Sequence, residues 1–472
     1  MRAVGSFTHD RPGSGCFAWR TQDAWRELDE LETSGWHRAV VVAAHPDDET
    51  LGAGGLVARL VGAGTPVDGV VLTRGEGSHP HSPTVTSEDL AARRTTESRA
   101  AWDALGADAA RLRVLELPDG GLEDRVDEIT ARIVETVTAG ACADPGDAAL
   151  LGRCVVVAPF AADGHPDHEA AALAAARAAR RTGADLLEFP IWWWQWADPQ
   201  AGFPTGFVRM TLSEQELARK SRAVHCHRTQ VEALSSAPGD EVMLGRHVLE
   251  HALADEEAFR LTAAGDAAPD SALDDLHRLH EEPWGVDTSW YEIRKRGLLL
   301  SMLPRRRYRH GVEVGCSTGA LSAALAHRCD ALSVIDASPH ALAAAERRLL
   351  GSGATASVEA LLGSAPATWP TDPVDLVVIS EVGYFLSPQQ LRSLVERLVV
   401  ERLVAERERQ RDAGGLTILL AHWRHPIDGW PMDAADVHAA FTGHPQLPPT
   451  VAEYRDTDVE VLVLADSGWW DS

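Results

Sequence analysis

His45, Asp47 and Asp48 stand together in Ala44-His45-Pro46-Asp47-Asp48-Glu49, on the turn that leaves the apolar run Ala39-Val40-Val41-Val42-Ala43. A second group, His165-Pro166-Asp167-His168, follows another apolar run, Val155-Val156-Val157-Ala158-Pro159. Ligands on the C-terminal ends of strands in an α/β fold can converge on one crevice. Two imidazoles and one carboxylate hold a divalent ion and leave a position open for water, whose pKa then falls to roughly 7. A further carboxylate must take the proton from that water and return it to the leaving group, so the Asp47-Asp48 pair can supply one ligand and one base. The chemistry is metal-assisted hydrolysis. A lone His-Pro-Asp-Asp reads equally well as a polar turn, but two such groups, each at a strand exit, do not.

The segments that must position these residues alternate in type. Residues 67–73, 113–117, 155–159 and 185–190 read as strands, and 95–105, 126–139 and 169–181 as helices between them. This is βαβ alternation around a largely parallel sheet. Residues 254–283, rich in Ala, Asp, Glu and Gly and without strand signals, read as a connection between domains.

Four motifs in order carry a family resemblance: Ala44 to Glu49, the small-residue stretch Gly52-Ala53-Gly54-Gly55, Leu117-Pro118-Asp119-Gly120-Gly121-Leu122, and Gly164 to His168. They resemble the LmbE-like, or PIG-L, zinc-dependent N-deacetylases. The resemblance implies a Rossmann-like domain with His45, Asp48 and His168 as zinc ligands and Asp47 as general base. It implies His165 as the imidazole that stabilises the charged tetrahedral intermediate. Arg94 and Glu97 match that family's Arg-x-x-Glu helix. Arg94 and Asp119 are candidates for gripping sugar hydroxyls; an ion pair for Arg94 and a turn role for Asp119 explain them equally well. Lys220 and His225-Cys226-His227-Arg228-Thr229-Gln230 resemble the family's late Lys and His-x-Ser-Gln helix, with Thr229 in place of serine. The adjacent His225, Cys226 and His227 point in different directions on a helix, which favours packing and rim roles over metal ligation.

A second α/β pattern begins at Tyr308. Gly311-Val312-Glu313-Val314-Gly315-Cys316-Ser317-Thr318-Gly319 reads as a strand, a small-residue turn and a helix start, and Leu332-Ser333-Val334-Ile335-Asp336 as a strand ending in an acid. Such a turn lets backbone approach a nucleotide cofactor, and the acid can take both ribose hydroxyls. The pattern resembles motif I of class I S-adenosylmethionine-dependent methyltransferases, with Glu313, Gly315 and Gly319 matching and Ser317 replacing the central glycine. NAD is the competing use of such a turn, but the full Gly-x-Gly-x-x-Gly fingerprint is missing. Asp375 to Leu386, Pro283-Trp284-Gly285 and His422 to Pro426 are similar to NodS-like methyltransferases, which methylate the amine of an amino sugar that a deacetylase has exposed. Glu381 and His422 are candidates to accept a proton or hold the amine, and Tyr384 to line the methyl path; packing roles are equally open.

The resulting expectation is an α/β chain of two Rossmann-like three-layer α/β/α domains with largely parallel sheets: a deacetylase domain over 1–255, a linker over 256–282 and a methyltransferase domain over 283–472. The expected cofactors are Zn2+ or Fe2+, since nitrogen and oxygen ligands suit both ions, with zinc favoured by the resemblance, and S-adenosyl-L-methionine. The expected function is deacetylation of an N-acetylated amino sugar or glycoconjugate followed by methylation of the exposed amine. The alternative is an amidase of a larger acyl or thiol conjugate with an O-methyltransferase or cofactor-sensing second half.

Composition bounds the partners. With 472 residues, two domains are the prior expectation, and 70 acidic against 44 basic residues give a net charge of −26, which disfavours a phosphate-backbone binder. Cys16, Cys142, Cys154, Cys226, Cys316 and Cys329 lack Cys-x-x-Cys spacing and read as buried thiols. Arg2, His9, Asp10 and Arg11 replace the apolar segment of an export signal, and no run reaches spanning length. The expectation is a cytoplasmic protein with no nucleic-acid or membrane partner. Two local groups stay open in use. Ile191-Trp192-Trp193-Trp194-Gln195-Trp196 could stack on sugar CH faces or fill an apolar gap, with filling favoured. Arg294-Lys295-Arg296 with Arg305, Arg306, Arg307 and Arg309 reads as a solvated face, although a sugar diphosphate would also suit it.

Overall fold

The computed structural model describes residues 13–139, 154–264, 271–280, 282–409, 415–427 and 429–466. Cys142 and the N-terminal residues Arg2 to Arg11 lie outside them. The chain divides into two compact units, Met1–Ala267 and Ala268–Ser472. Both are mixed α/β with mostly parallel sheets, as the sequence leads one to expect.

The first unit is built on β1 (Asp29–Glu30), β2 (Arg38–Ala43), β3 (Val67–Thr73), β4 (Leu112–Leu117), β5 (Cys154–Pro159), β6 (Asp185–Phe189), β7 (Phe207–Thr211) and β8 (Glu256–Thr262). Their order in the sheet is β1-β7-β8-β6-β5-β2-β3-β4, and only β8 runs antiparallel to its neighbours β6 and β7. The central strands β2 and β5 are apolar and buried along almost their whole length, as strands covered on both faces must be. Their C-terminal ends deliver His45 and the 160–168 turn to the same edge.

The helix Asp48–Gly62 follows β2 and lies close against the sheet. Its small residues permit that approach: a Cβ on Gly52 would sit 2.0 Å from the Phe189 ring, and one on Gly55 would sit 2.5 Å from Leu212. Glu257 of β8 reaches this helix, accepting the N–H groups of Gly55 at 2.7 Å and Leu56 at 2.8 Å, and pairs with buried Lys220 at 2.7 Å. The expected linker over 256–282 is therefore corrected: it contains β8, an interior strand of the first sheet, and the helix Ser271–Leu279 of the second unit. The two glutamates of β8 hid it from a hydrophobic-pattern reading. The helix expected over 95–105 starts earlier, at Ser87, where the Thr86 hydroxyl caps it by accepting from Asp89 N.

The second unit holds β9 (Tyr308–Val314), β10 (Cys329–Asp336), β11 (Ser357–Leu362), β12 (Leu376–Ser380), β13 (Thr417–Trp423), β14 (Thr450–Arg455) and β15 (Val459–Ala465). Their order is β11-β10-β9-β12-β13-β15-β14, with β15 antiparallel to both neighbours and the rest parallel. Among the described residues no helix is long and apolar enough to cross a membrane.

Candidate functional site

In the first unit the turn after β2 is held in a conformation that few residues adopt. Asp47 has φ 151°, and such backbone persists only where its surroundings over-determine it. Its N–H donates to Glu49 Oε2 at 3.1 Å, and Ser98 Oγ donates to Glu49 Oε1 at 2.8 Å. Arg94, from the helix Ser87–Leu105, donates to Gly75 O at 2.8 Å and Pro46 O at 3.0 Å and pairs with Asp47 Oδ2 at 3.1 Å. Asp48 Oδ2 accepts the backbone N–H of His45 at 2.8 Å. The turn thus presents His45, Asp47 and Asp48 as one rigid group.

His168, on the helix Pro166–Thr182, is fully buried and lies opposite, its Nε2 3.3 Å from Asp48 Oδ1. Its Nδ1 meets the Asp163 carboxylate at 2.7 Å. Nδ1 therefore carries the hydrogen, and Nε2 has no hydrogen-bond partner. On His45, Nε2 faces Asp119 and Asp167 at 3.2 Å each, which leaves Nδ1, 3.5 Å from Asp48 Oδ2, as the available lone pair. Nδ1 of His165 accepts the N–H of Asp167 at 3.1 Å, so its ring hydrogen belongs on Nε2.

Ligand atoms of His45, Asp48 and His168 all lie within 4.8 Å of one another. The buried, unpartnered His168 Nε2 and the nitrogen-nitrogen-oxygen donor set fit a divalent ion. Both imidazoles also have the carboxylate neighbours that orient metal-bound histidines. A second group, His45, His165 and Asp167, meets the same distance test and overlaps the first. Burial would lower His168, but Asp48 and Asp163 override it and raise it to about 9, so an ion taking Nε2 would displace a proton held there against Asp48. Burial, with the neighbouring His168 and His45, lowers His165 to about 3. Burial drives Asp47 upward against the Arg94 guanidinium, and Glu49 rises to about 8, burial outweighing its Ser98 hydrogen bond.

Two expected sugar contacts have other work in the structure. Arg94 is buried and its terminal nitrogens hold the Asp47 turn, which favours positioning over gripping hydroxyls. Asp119 faces His45 and accepts Gly77 N at 2.8 Å; burial would raise it, but the His45 contact holds it down at about 2. Glu97 braces the late helix by accepting Thr229 N and Oγ1 at 3.0 and 2.7 Å. His227 Nε2 meets Thr50 Oγ1 at 3.0 Å, and His225 Nδ1 meets Ser221 O at 2.7 Å. Asp163 and Glu49 were missed as site residues. An acid five positions before His168 on a strand-exit turn was the available signal for Asp163.

In the second unit the turn after β9 uses left-handed backbone at Gly315 (φ 72°), Ser317 (φ 49°) and Gly319 (φ 78°). The Asp336 carboxylate, at the end of β10, accepts Ser317 N at 2.8 Å and Ser338 N at 2.9 Å through different oxygens. The carboxylate keeps lone-pair capacity for a ribose hydroxyl. Ser317 Oγ is buried without a hydrogen-bond partner. These features fit S-adenosylmethionine in the crevice at the ends of β9 and β10. Glu313 accepts Ser322 Oγ at 2.5 Å beneath the turn.

Of the methyl-transfer candidates, Glu381 and His422 are engaged in a way that favours the packing reading. Glu381 accepts Tyr291 OH at 2.6 Å, Lys295 Nζ at 2.9 Å, Trp423 N at 2.8 Å and the Tyr384 hydroxyl. Four donors fill a carboxylate. Burial would raise Glu381, but Lys295 and the tyrosine hydroxyls keep it low, so it is a poor proton acceptor. His422 is equally occupied: Gly383 N donates to its Nε2 at 3.1 Å, which puts the hydrogen on Nδ1, facing His438 Nε2 at 2.9 Å. Both residues shape the loop after β12. Tyr384 is buried and its hydroxyl hydrogen is engaged by Glu381. The basic cluster is largely paired: Arg294 with Asp456, Lys295 with Glu292 and Glu381, Arg307 with Asp330.

Comparison with known proteins gives two family matches. Residues 40–179 match the family described as GlcNAc-PI de-N-acetylase (PIG-L), and residues 270–409 match nodulation protein S (NodS). The chain thus joins a PIG-L deacetylase domain to a NodS methyltransferase domain. Nodulation protein S of Bradyrhizobium diazoefficiens is 32% identical over 24% of this chain and 56% of its own length. The 1D-myo-inositol 2-acetamido-2-deoxy-alpha-D-glucopyranoside deacetylase of Kineococcus radiotolerans is 36% identical over 25% of this chain and 35% of its own. The chain spans a little over half the length of the first relative and about a third of the second. The solved N-methyltransferase NodS of Bradyrhizobium japonicum with S-adenosyl-L-homocysteine is 20% identical, covers 42% of this chain and 97% of that one, and has a TM-score of 0.34.

Proposed function

We propose that the chain is a bifunctional enzyme: its first unit removes the acetyl group from an N-acetylated amino sugar, and its second methylates the exposed amine with S-adenosylmethionine. The observation that carries the reading is the convergence of His45, Asp48 and His168 with Asp47 and His165 beside them. His45 through Nδ1, Asp48 and His168 through Nε2 would hold a divalent ion, zinc by family. Such an ion supplies Lewis-acid polarisation of the amide carbonyl and acidifies the attacking water. Asp47, fixed by Arg94, takes the proton of that water and passes it to the departing nitrogen. His165 presents Nε2–H to the oxyanion that develops on the carbonyl oxygen.

In the second unit Asp336 binds the ribose and the 315–319 turn admits the cofactor backbone-first. The amine is already a nucleophile once neutral, so this unit chiefly positions it and excludes water. The reading includes a cytoplasmic setting, supported by five free cysteines among the described residues. The amino-sugar assignment is supported by the acetamido-sugar named in the deacetylase relative.

The test is acetate release from methyl N-acetylglucosaminide by zinc-loaded protein and its Asp47→Asn variant. The expected result is turnover by the native enzyme and a loss of about 10²- to 10⁴-fold in kcat for the variant at unchanged zinc content. A variant within tenfold of the native rate would remove Asp47 as the base.

A further inference from the structure

Three of the four tryptophans in the 192–196 run turn inward. Trp192, Trp193 and Trp194 are at most 8% exposed, and Trp193 and Trp194 pack on Trp19 with centroids 4.7 and 5.2 Å away. Trp196 is 48% exposed. Its indole is nevertheless anchored: Nε1–H donates to the carbonyl of Asp163 at 3.0 Å. The same nitrogen lies 2.8 Å from where a Cβ on Gly164 would sit, so the ring rests against backbone that only glycine leaves bare.

The next residue is His165. Asp163 also fixes the start of the tryptophan helix, accepting Ile191 N and Trp193 N at 2.9 Å each through Oδ1, while Oδ2 orients His168. One aspartate therefore sets both a candidate metal ligand and the turn that carries the exposed ring. A large apolar surface held open and rigid against Asp163 and Gly164, on the turn that leads into His165, has the properties of a binding platform, because an indole presents wide contact area at low entropic cost.

We propose that Trp196 is the stacking platform of the deacetylase cleft, on which the CH face of a pyranose ring lies while its acetamido group reaches His165 and Asp47. This rests on the deacetylase reading above and adds that the substrate is recognised as a ring, through its apolar face.

The test compares native protein with Trp196→Ala and Trp196→Phe, all zinc-loaded, on methyl N-acetylglucosaminide and on ring-less N-acetylethanolamine. The expected result for Trp196→Ala is a roughly five- to tenfold rise in KM for the glycoside relative to the ring-less acetamide, with the larger effect in KM rather than kcat. Trp196→Phe keeps a ring but loses the bond to Asp163, and is expected to restore most of the glycoside preference. Equal losses on both substrates, or a Trp196→Phe defect as large as that of Trp196→Ala, would overturn the proposal and leave Trp196 as a support for Asp163. Saturation-transfer NMR on the glycoside reads binding without turnover: transfer to one face of ring protons, lost in Trp196→Ala, is expected. Its persistence in that variant would overturn the platform even if no acetate were released, whereas absence of turnover with transfer intact in the native protein would count against the deacetylase reading alone.

Discussion

Replacing Asp163 with Asn should weaken metal binding through a side chain that touches no metal. Its carboxylate accepts four N–H groups, Ile191 and Trp193 on Oδ1 and Trp192 and His168 on Oδ2. An amide keeps one acceptor oxygen. If that oxygen stays with Ile191 and Trp193, the new NH2 faces the Trp192 N–H and His168 Nδ1. His168 can relieve the clash only by moving its hydrogen to Nε2, the nitrogen needed as a ligand. If the amide turns over, two backbone N–H groups lose their acceptor instead, at about 1–3 kcal/mol each. Loss of a ligand-orienting partner typically lowers metal affinity about 10- to 100-fold, or about 1.4 to 2.8 kcal/mol. Competition with a chromophoric chelator measures the zinc affinity, and thermal unfolding confirms that the variant folds. A folded Asp163→Asn protein that binds zinc within about twofold of the native affinity would refute this account of His168.

Ser317 occupies left-handed backbone that glycine adopts without strain, so Ser317→Gly should raise the stability of the second unit by about 0.5–1 kcal/mol, read by urea unfolding; a loss of stability would contradict the strain. Burial raises Glu313 to about 8, against its hydrogen bond from Ser322 and with help from Asp336. The folded state then holds a proton that the unfolded chain releases near pH 4 to 5, so stability is full below that range and falls as pH rises toward 8, by a few kcal/mol in order of magnitude. Unfolding at pH 5 and pH 8 should show this slope in the native protein and a flatter one in Glu313→Gln; equal slopes would contradict it.

What the sequence made legible was local. His45, Asp48 and His168 announce themselves because each motif follows an apolar strand directly, and the β9 turn does so through its glycines. Residues that act across long separations were not legible. Glu257 sits in a strand whose charge looks unfit for a sheet interior, yet it receives Lys220 and two helix N–H groups. For Glu381 and His422 acid-base and packing roles stay equally open in the sequence, which does not show that Tyr291, Lys295 and His438 lie against them. The tryptophan run illustrates the same limit from the other side: four similar residues in sequence, of which one alone faces outward. Arg94 was read on its helix, while its partner Asp47 comes from the turn after β2.

The most direct test of the central claim is mass spectrometry of the zinc-loaded protein incubated with methyl-labelled S-adenosylmethionine and an N-acetylated amino sugar. The account predicts loss of acetyl followed by gain of the labelled methyl on the same nitrogen. Deacetylation with the label only on oxygen, or with no label transferred, would contradict it.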